Sequence, residues 1–140
     1  MTVRNSPIKL AQRLNAKTCS MIAHPGASHC RSGRSLAMDA LEFTFIGKAA
    51  HAAVKPEEGI NALDAAINTF NQINALREHM RSDAKVHGFI KEGGIAANIV
   101  PERAVSRFYV RALTRGYLKQ LVEKVKRCAE GASIGAGTQL

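Results

Sequence analysis

Apolar and polar positions alternate through Leu41-Glu42-Phe43-Thr44-Phe45, the period of two expected of a strand with one buried face. Gly47 ends that alternation. Pro56 fits the first turn of a helix, and Glu57 and Glu58 behind it suit the positive end of a helix dipole. Ile60, Leu63, Ile67, Phe70, Ile73 or Asn74, and Leu76 then recur every three or four residues. That spacing predicts a helix over about 57–80 with one apolar stripe, and Ser82-Asp83 reads as its break. A short strand follows over 85–91, rich in Val, Phe and Ile, and Gly93-Gly94 turns it. Residues 96–100 form a weaker extended piece that stops at Pro101, which has no N–H to donate to a sheet ladder. The strand over 104–112 is the clearest: Ala104, Ser106, Phe108, Val110 and Ala112 share one face, while Val105, Arg107, Tyr109 and Arg111 share the other. Thr114 is placed to cap a second helix. Leu118, Leu121, Val122, Val125, Cys128, Ala129 and Ala132 line its apolar side, until Gly131, Gly135 and Gly137 dissolve the pattern.

The predicted order is strand, helix, strand, strand, helix. One further strand would complete a split β-α-β arrangement. The fold class expected is therefore α+β: a ferredoxin-like two-layer sandwich whose antiparallel sheet of three to four strands carries two helices on one face. The last strand would fall where the chain stops, leaving a sheet edge open for another segment or chain to pair.

Composition adds limits. A chain of 140 residues is one domain, or one domain plus an arm. Its longest apolar runs fall far short of the roughly 20 residues that span a bilayer. Cys19, Cys30 and Cys128 are odd in number and lack metal-finger spacing, as expected of free thiols in a reducing compartment. The formal net charge is +9 and lies mostly at the start, because residues 1–38 hold six Arg or Lys and no Asp or Glu. This basic arm, read as partly extended or disordered, fits an anion-binding segment, a targeting peptide or a solvated tail. Residues 1–20 lack a long apolar face, which favours the tail. Lys119, Lys124, Lys126 and Arg127 read as the solvated face of the second helix, and Cys128 as a small core residue.

The chemistry concentrates in Gly47-Lys48-Ala49-Ala50-His51-Ala52-Ala53, where a histidine at a strand end is flanked only by small residues and can approach a ligand closely. Together with Gly59-Ile60-Asn61-Ala62-Leu63-Asp64-Ala65, His87-Gly88-Phe89-Ile90-Lys91-Glu92-Gly93-Gly94, Ala97-Asn98-Ile99-Val100-Pro101 and Tyr109-Val110-Arg111-Ala112, this segment carries a resemblance. Residues from about 40 to 135 resemble the dimerisation, or lid, domain of the aminoacylase, aminobenzoyl-glutamate hydrolase and N-acyl-amino-acid amidohydrolase family of zinc metallopeptidases, peptidase family M-twenty. Met21-Ile22-Ala23-His24-Pro25-Gly26 is similar to the junction that precedes the lid there. The implied division is an arm over 1–38, with that junction at 21–26, and a lid over 39–140 lacking most of its last strand.

The resemblance implies a lid inserted into a two-zinc catalytic domain, pairing with its twin about a two-fold axis and reaching into the partner's active site. His51 would donate to the tetrahedral oxyanion, Asn98 would hydrogen-bond the substrate, and Arg111 would take its carboxylate with both arms of the guanidinium. His24 sits where the family has a zinc ligand. By residue type alone, a histidine such as His51 is more often a strand-end residue than a catalytic one and His24 reads as a loop residue, while Asn98 could equally cap a turn and Arg111 equally be a solvated sheet arginine. His29, His79 and His87 show no partner pattern.

A catalytic zinc site needs about three protein ligands and a general base. The family's histidine–aspartate pair, paired glutamates and late histidine have no counterpart here: Glu57-Glu58 opens a helix, and no acid precedes Asp39. The chain is therefore expected to be the lid, as a fragment or remnant, of an enzyme cleaving N-acyl amino acid or aminobenzoyl-glutamate-type amides. Zinc would belong to the complete family enzyme, with none bound by this chain alone, which would be inactive in isolation. A homodimer through the sheet edge and first helix is expected, or pairing with a full-length relative, away from membranes and in the cytoplasm unless the arm directs it to an organelle. Two alternatives stay open: a stand-alone homo- or hetero-dimerisation module, and a basic nucleic-acid binder. The latter needs stacking aromatics on the central strands, whereas Phe108 and Tyr109 point to opposite faces.

Overall fold

The computed structural model describes residues 35–140. Readings made for earlier positions, His24 and most of the basic arm among them, lie outside the described residues. Three strands and two helices follow in the order β1 (Ala37–Ile46), α1 (Ala62–Leu76), β2 (Lys85–Glu92), β3 (Arg103–Ala112) and α2 (Arg115–Ala136). The sheet order is β1-β3-β2, with β3 central and antiparallel to both neighbours. The fold is α+β in two layers, as expected. Phe43, Phe45, Phe108, Val110, Leu118, Leu121, Val125 and Ile73 fill the core between sheet and helices.

The first helix departs from its prediction. Residues Pro56–Glu58 form an isolated 3-10 turn, and the α-helix begins only at Ala62. Ile60 exchanges two backbone hydrogen bonds with Lys48, at 2.8 and 2.9 Å, which holds the chain extended there. Asn61 then caps the helix, its Oδ1 accepting from the Leu63 and Asp64 amides. The buried stripe is also rotated. Ala62, Ala65, Ala66, Thr69 and Ile73 face inward, while Ile67 remains 43% exposed. Small side chains let α1 lie close against its neighbours, and the bulkier residues are displaced to the flank beside β2.

α2 is capped as predicted, Thr114 Oγ1 accepting from the Tyr117 amide. It runs on through Gly131 and Gly135 and stops at Gly137, whose φ of 70° is left-handed. Thr138 and Gly137 donate back to the Ser133 and Ile134 carbonyls, the two bonds of a Schellman turn. That reversal brings Gln139 antiparallel to Ile46, with two backbone hydrogen bonds of 2.8 Å. Gln139 thus forms an isolated bridge on the outer edge of β1.

Candidate functional site

Beyond the sheet, the chain after β1 continues to pair with the chain before β3. The Gly47 amide donates to the Glu102 carbonyl, Val100 to Ala50 at 2.9 Å, and Ala52 to Asn98 at 3.0 Å. His51 therefore faces Ile99 in a single antiparallel bridge, and the expected strand over 96–100 shrinks to this contact and a turn. Gly47 has no room for a side chain, because a Cβ would overlap the Ile60 carbonyl oxygen.

His51 ends this strip on an exposed turn, its carbonyl accepting from the Val54 and Lys55 amides. Its Nδ1 accepts from the Ala53 amide at 3.3 Å. A neutral imidazole that accepts at Nδ1 carries its proton on Nε2. Asn98 is exposed one residue from Ile99, so the structure brings His51 and Asn98 to the same end of the molecule. A cleft of about 500 Å³ opens on the β3 side of this strip, between Ala49, Gly93, Ile95, Ile99, Pro101 and Arg103. Ile95 on its rim is 95% exposed.

Arg111 is not brought to them. It lies eight residues past Arg103 on β3, opposite Met38 and Lys85, roughly 27 Å farther along at about 3.4 Å per residue. Its side chain is half-buried on the sheet face that the helices leave uncovered, and its Nε is buried with no acceptor.

Among the described residues, no three His, Cys, Asp or Glu side chains gather where a metal ion could be held. The donor set of the described residues does not fit a zinc centre. No described helix is long and apolar enough to cross a membrane. Cys128 is half-buried on α2, and burial pushes its thiol pKa up.

The family model for the peptidase dimerisation domain matches residues 37–134. The chain belongs to that family. This dimerisation domain is 35% identical over 116 residues to the Xaa-Arg dipeptidase of Mus musculus, covering 83% of this chain and 27% of that protein. It is 36% identical over 102 residues to a p-aminobenzoyl-glutamate hydrolase polypeptide of Escherichia coli, covering 72% and 21% respectively. The crystal structure of an aminobenzoyl-glutamate utilization protein from Klebsiella pneumoniae superposes with a TM-score of 0.69 at 27% identity, over 74% of the dimerisation domain chain and 26% of the other. The chain thus spans about a quarter of the length of these relatives.

Proposed function

We propose that this dimerisation domain serves as the pairing lid of a zinc-dependent, cytoplasmic amide hydrolase acting on N-acyl amino acid or aminobenzoyl-glutamate-type substrates. One observation carries the reading: the candidate residues sit at opposite ends of β3, His51 and Asn98 at one and Arg111 at the other. One copy cannot direct all three at one small amide. A two-fold pair can, if the His51 end of each copy reaches the centre that its partner's Arg111 serves. His51 then donates its Nε2–H to the developing oxyanion, Asn98 orients the amide, and Arg111 holds the substrate carboxylate.

A surface suited to the pairing exists. Ile67, Phe70 and Asn71 on α1 and Phe89 and Ile90 on β2 border an apolar groove of about 370 Å³. Phe89 and Ile90 are 56% and 38% exposed. The outer edge of β2 has no strand beside it among the described residues, so a second copy can extend the sheet there.

Subunit complementation tests the shared site. Residues 37–140 are grafted into an N-acyl-amino-acid amidohydrolase of the family in place of its own lid. H51A and R111Q variants of this active chimera are each expected to lose about 10²-fold or more in kcat. When the two are mixed and re-paired, each mixed dimer regains activity at one of its two sites. Absence of any regain would place both residues in the same copy's site.

A further inference from the structure

The open edge of β2 is not uniform along its length. Arg77, just past α1, is exposed, and its guanidinium donates to the Val86 carbonyl at 2.8 Å and to Asn74 Oδ1 at 3.0 Å. An exposed side chain reaches that carbonyl from the outer edge and not from the core, so Val86 turns its backbone groups outward. In an antiparallel ladder the residues that bond to a given neighbour alternate along the strand. Gly88 and Ile90 therefore point outward with Val86, while His87 and Phe89 bond to β3 across from Tyr109 and Arg107. Past Ile90 a register shift before Glu92 interrupts the ladder. The edge thus offers a second strand the N–H and C=O of Gly88 and of Ile90, between a carbonyl already held by Arg77 and a bulge.

We propose that Arg77 fixes the register in which a second copy pairs, with the two-fold axis at Phe89. That axis sets Gly88 opposite Ile90 of the second copy, and Ile90 opposite its Gly88, so every free group bonds without drawing on Val86 or crossing the bulge. An axis at His87 or Gly88 would have to displace Arg77 from the Val86 carbonyl, and an axis at Ile90 would need Glu92. Phe89 then faces its own twin as a non-hydrogen-bonded pair, with Cα atoms about 4.5 Å apart, and two exposed rings cover each other. On the helix side, Ile90 of the second copy rests beside Gly88, where the Phe108 ring fills the space a side chain would need, and near Ile67 and Phe70. The same register sets Lys85 of one copy opposite Gly93 of the other. Arg111, across from Lys85 on β3, then lies level with the second copy's Gly93-Gly94 turn. That turn lines the cleft together with Ile99, the residue bridged to His51. The two β3 strands stand three strand spacings apart, about 14 Å. The inference rests on the lid reading for the roles of His51 and Arg111; it adds the position of the axis and Arg77 as the residue that sets it.

Cysteine cross-linking of the 140-residue chain tests the axis, in a C19S/C30S/C128S background. Under mild oxidation with diamide, F89C is expected to form an interchain disulfide at least about tenfold faster than H87C. The two Phe89 Cα atoms fall within disulfide reach, and those of His87, offset by roughly 14 Å along the strand, do not. R77A should release the Val86 carbonyl and bring the H87C rate to within about threefold of F89C. In the chain with Phe89 intact, the Gly88 and Ile90 amides should gain protection from hydrogen exchange as concentration rises, and the Val86 amide should not. Equal cross-linking rates with Arg77 in place, a ratio that R77A leaves unchanged, or a monomeric chain would overturn the proposal. A chain of dimer mass whose F89C stays reduced and whose Gly88 and Ile90 amides stay unprotected pairs through another surface. That result would sink this inference and leave the lid reading standing. A rapid F89C disulfide with no regain between the H51A and R111Q chimeras would do the reverse.

Discussion

The donor role proposed for His51 rests on two backbone hydrogen bonds of its neighbours. The Ala53 amide occupies Nδ1, and the Asn98 carbonyl fixes the strip at Ala52. Both depend on the chain passing close to Ile60, where Gly47 leaves no space. Gly47→Ala therefore forces overpacking against backbone, with a cost of about 1–3 kcal/mol, readable as a loss of several degrees in melting temperature. An unchanged melting point would show that the strip is looser than the bridge pattern implies. Cys128 behaves differently. Its folded thiol pKa lies above the unfolded one because burial disfavours the thiolate. Its contribution to stability is complete below the unfolded pKa and is lost as pH rises toward the folded value. In a C19S/C30S background, Cys128 should alkylate more slowly in the native chain than in the urea-unfolded chain throughout the mildly alkaline range. Equal rates would contradict the burial.

At the scale of elements, the strands were more legible than the helices. The 104–112 alternation is a period-two signal that packing preserves, and the observed faces follow it. α1 was legible as a helix but not in its start or its buried side. Pro56 and two glutamates mimic the opening of a helix, yet the Lys48–Ile60 bridge, a contact between distant positions, keeps the chain extended until Asn61. The stripe Ile60–Leu63–Ile67–Phe70 looks more apolar than the Ala-rich face that is buried, because the sequence gives no measure of how near a neighbouring layer stands. Asn61→Ala removes the oxygen that serves two helix amides and should cost about 1 kcal/mol, or about 4–8 °C in melting temperature for a domain of this size. A smaller shift would place the helix start under the control of the bridge alone.

At the scale of the whole molecule, the family was legible because several short segments keep their order and spacing around one fold. The division of the candidate site was not. Nothing in the spacing of His51, Asn98 and Arg111 says that β3 separates the third from the first two; that appears only once the register sets Arg103 against Ile46 and Arg111 against Met38. The rotated helix stripe and the open β2 edge then acquire one explanation, since both are the surface a twin would cover. Light scattering on the size-separated chain tests this most directly. The mass should be close to twice 15.1 kDa at micromolar concentration, and I67D/F89D should halve it without loss of helical circular dichroism. A chain that stays at the single-chain mass at high concentration, with its fold intact, would contradict the pairing on which the shared site depends.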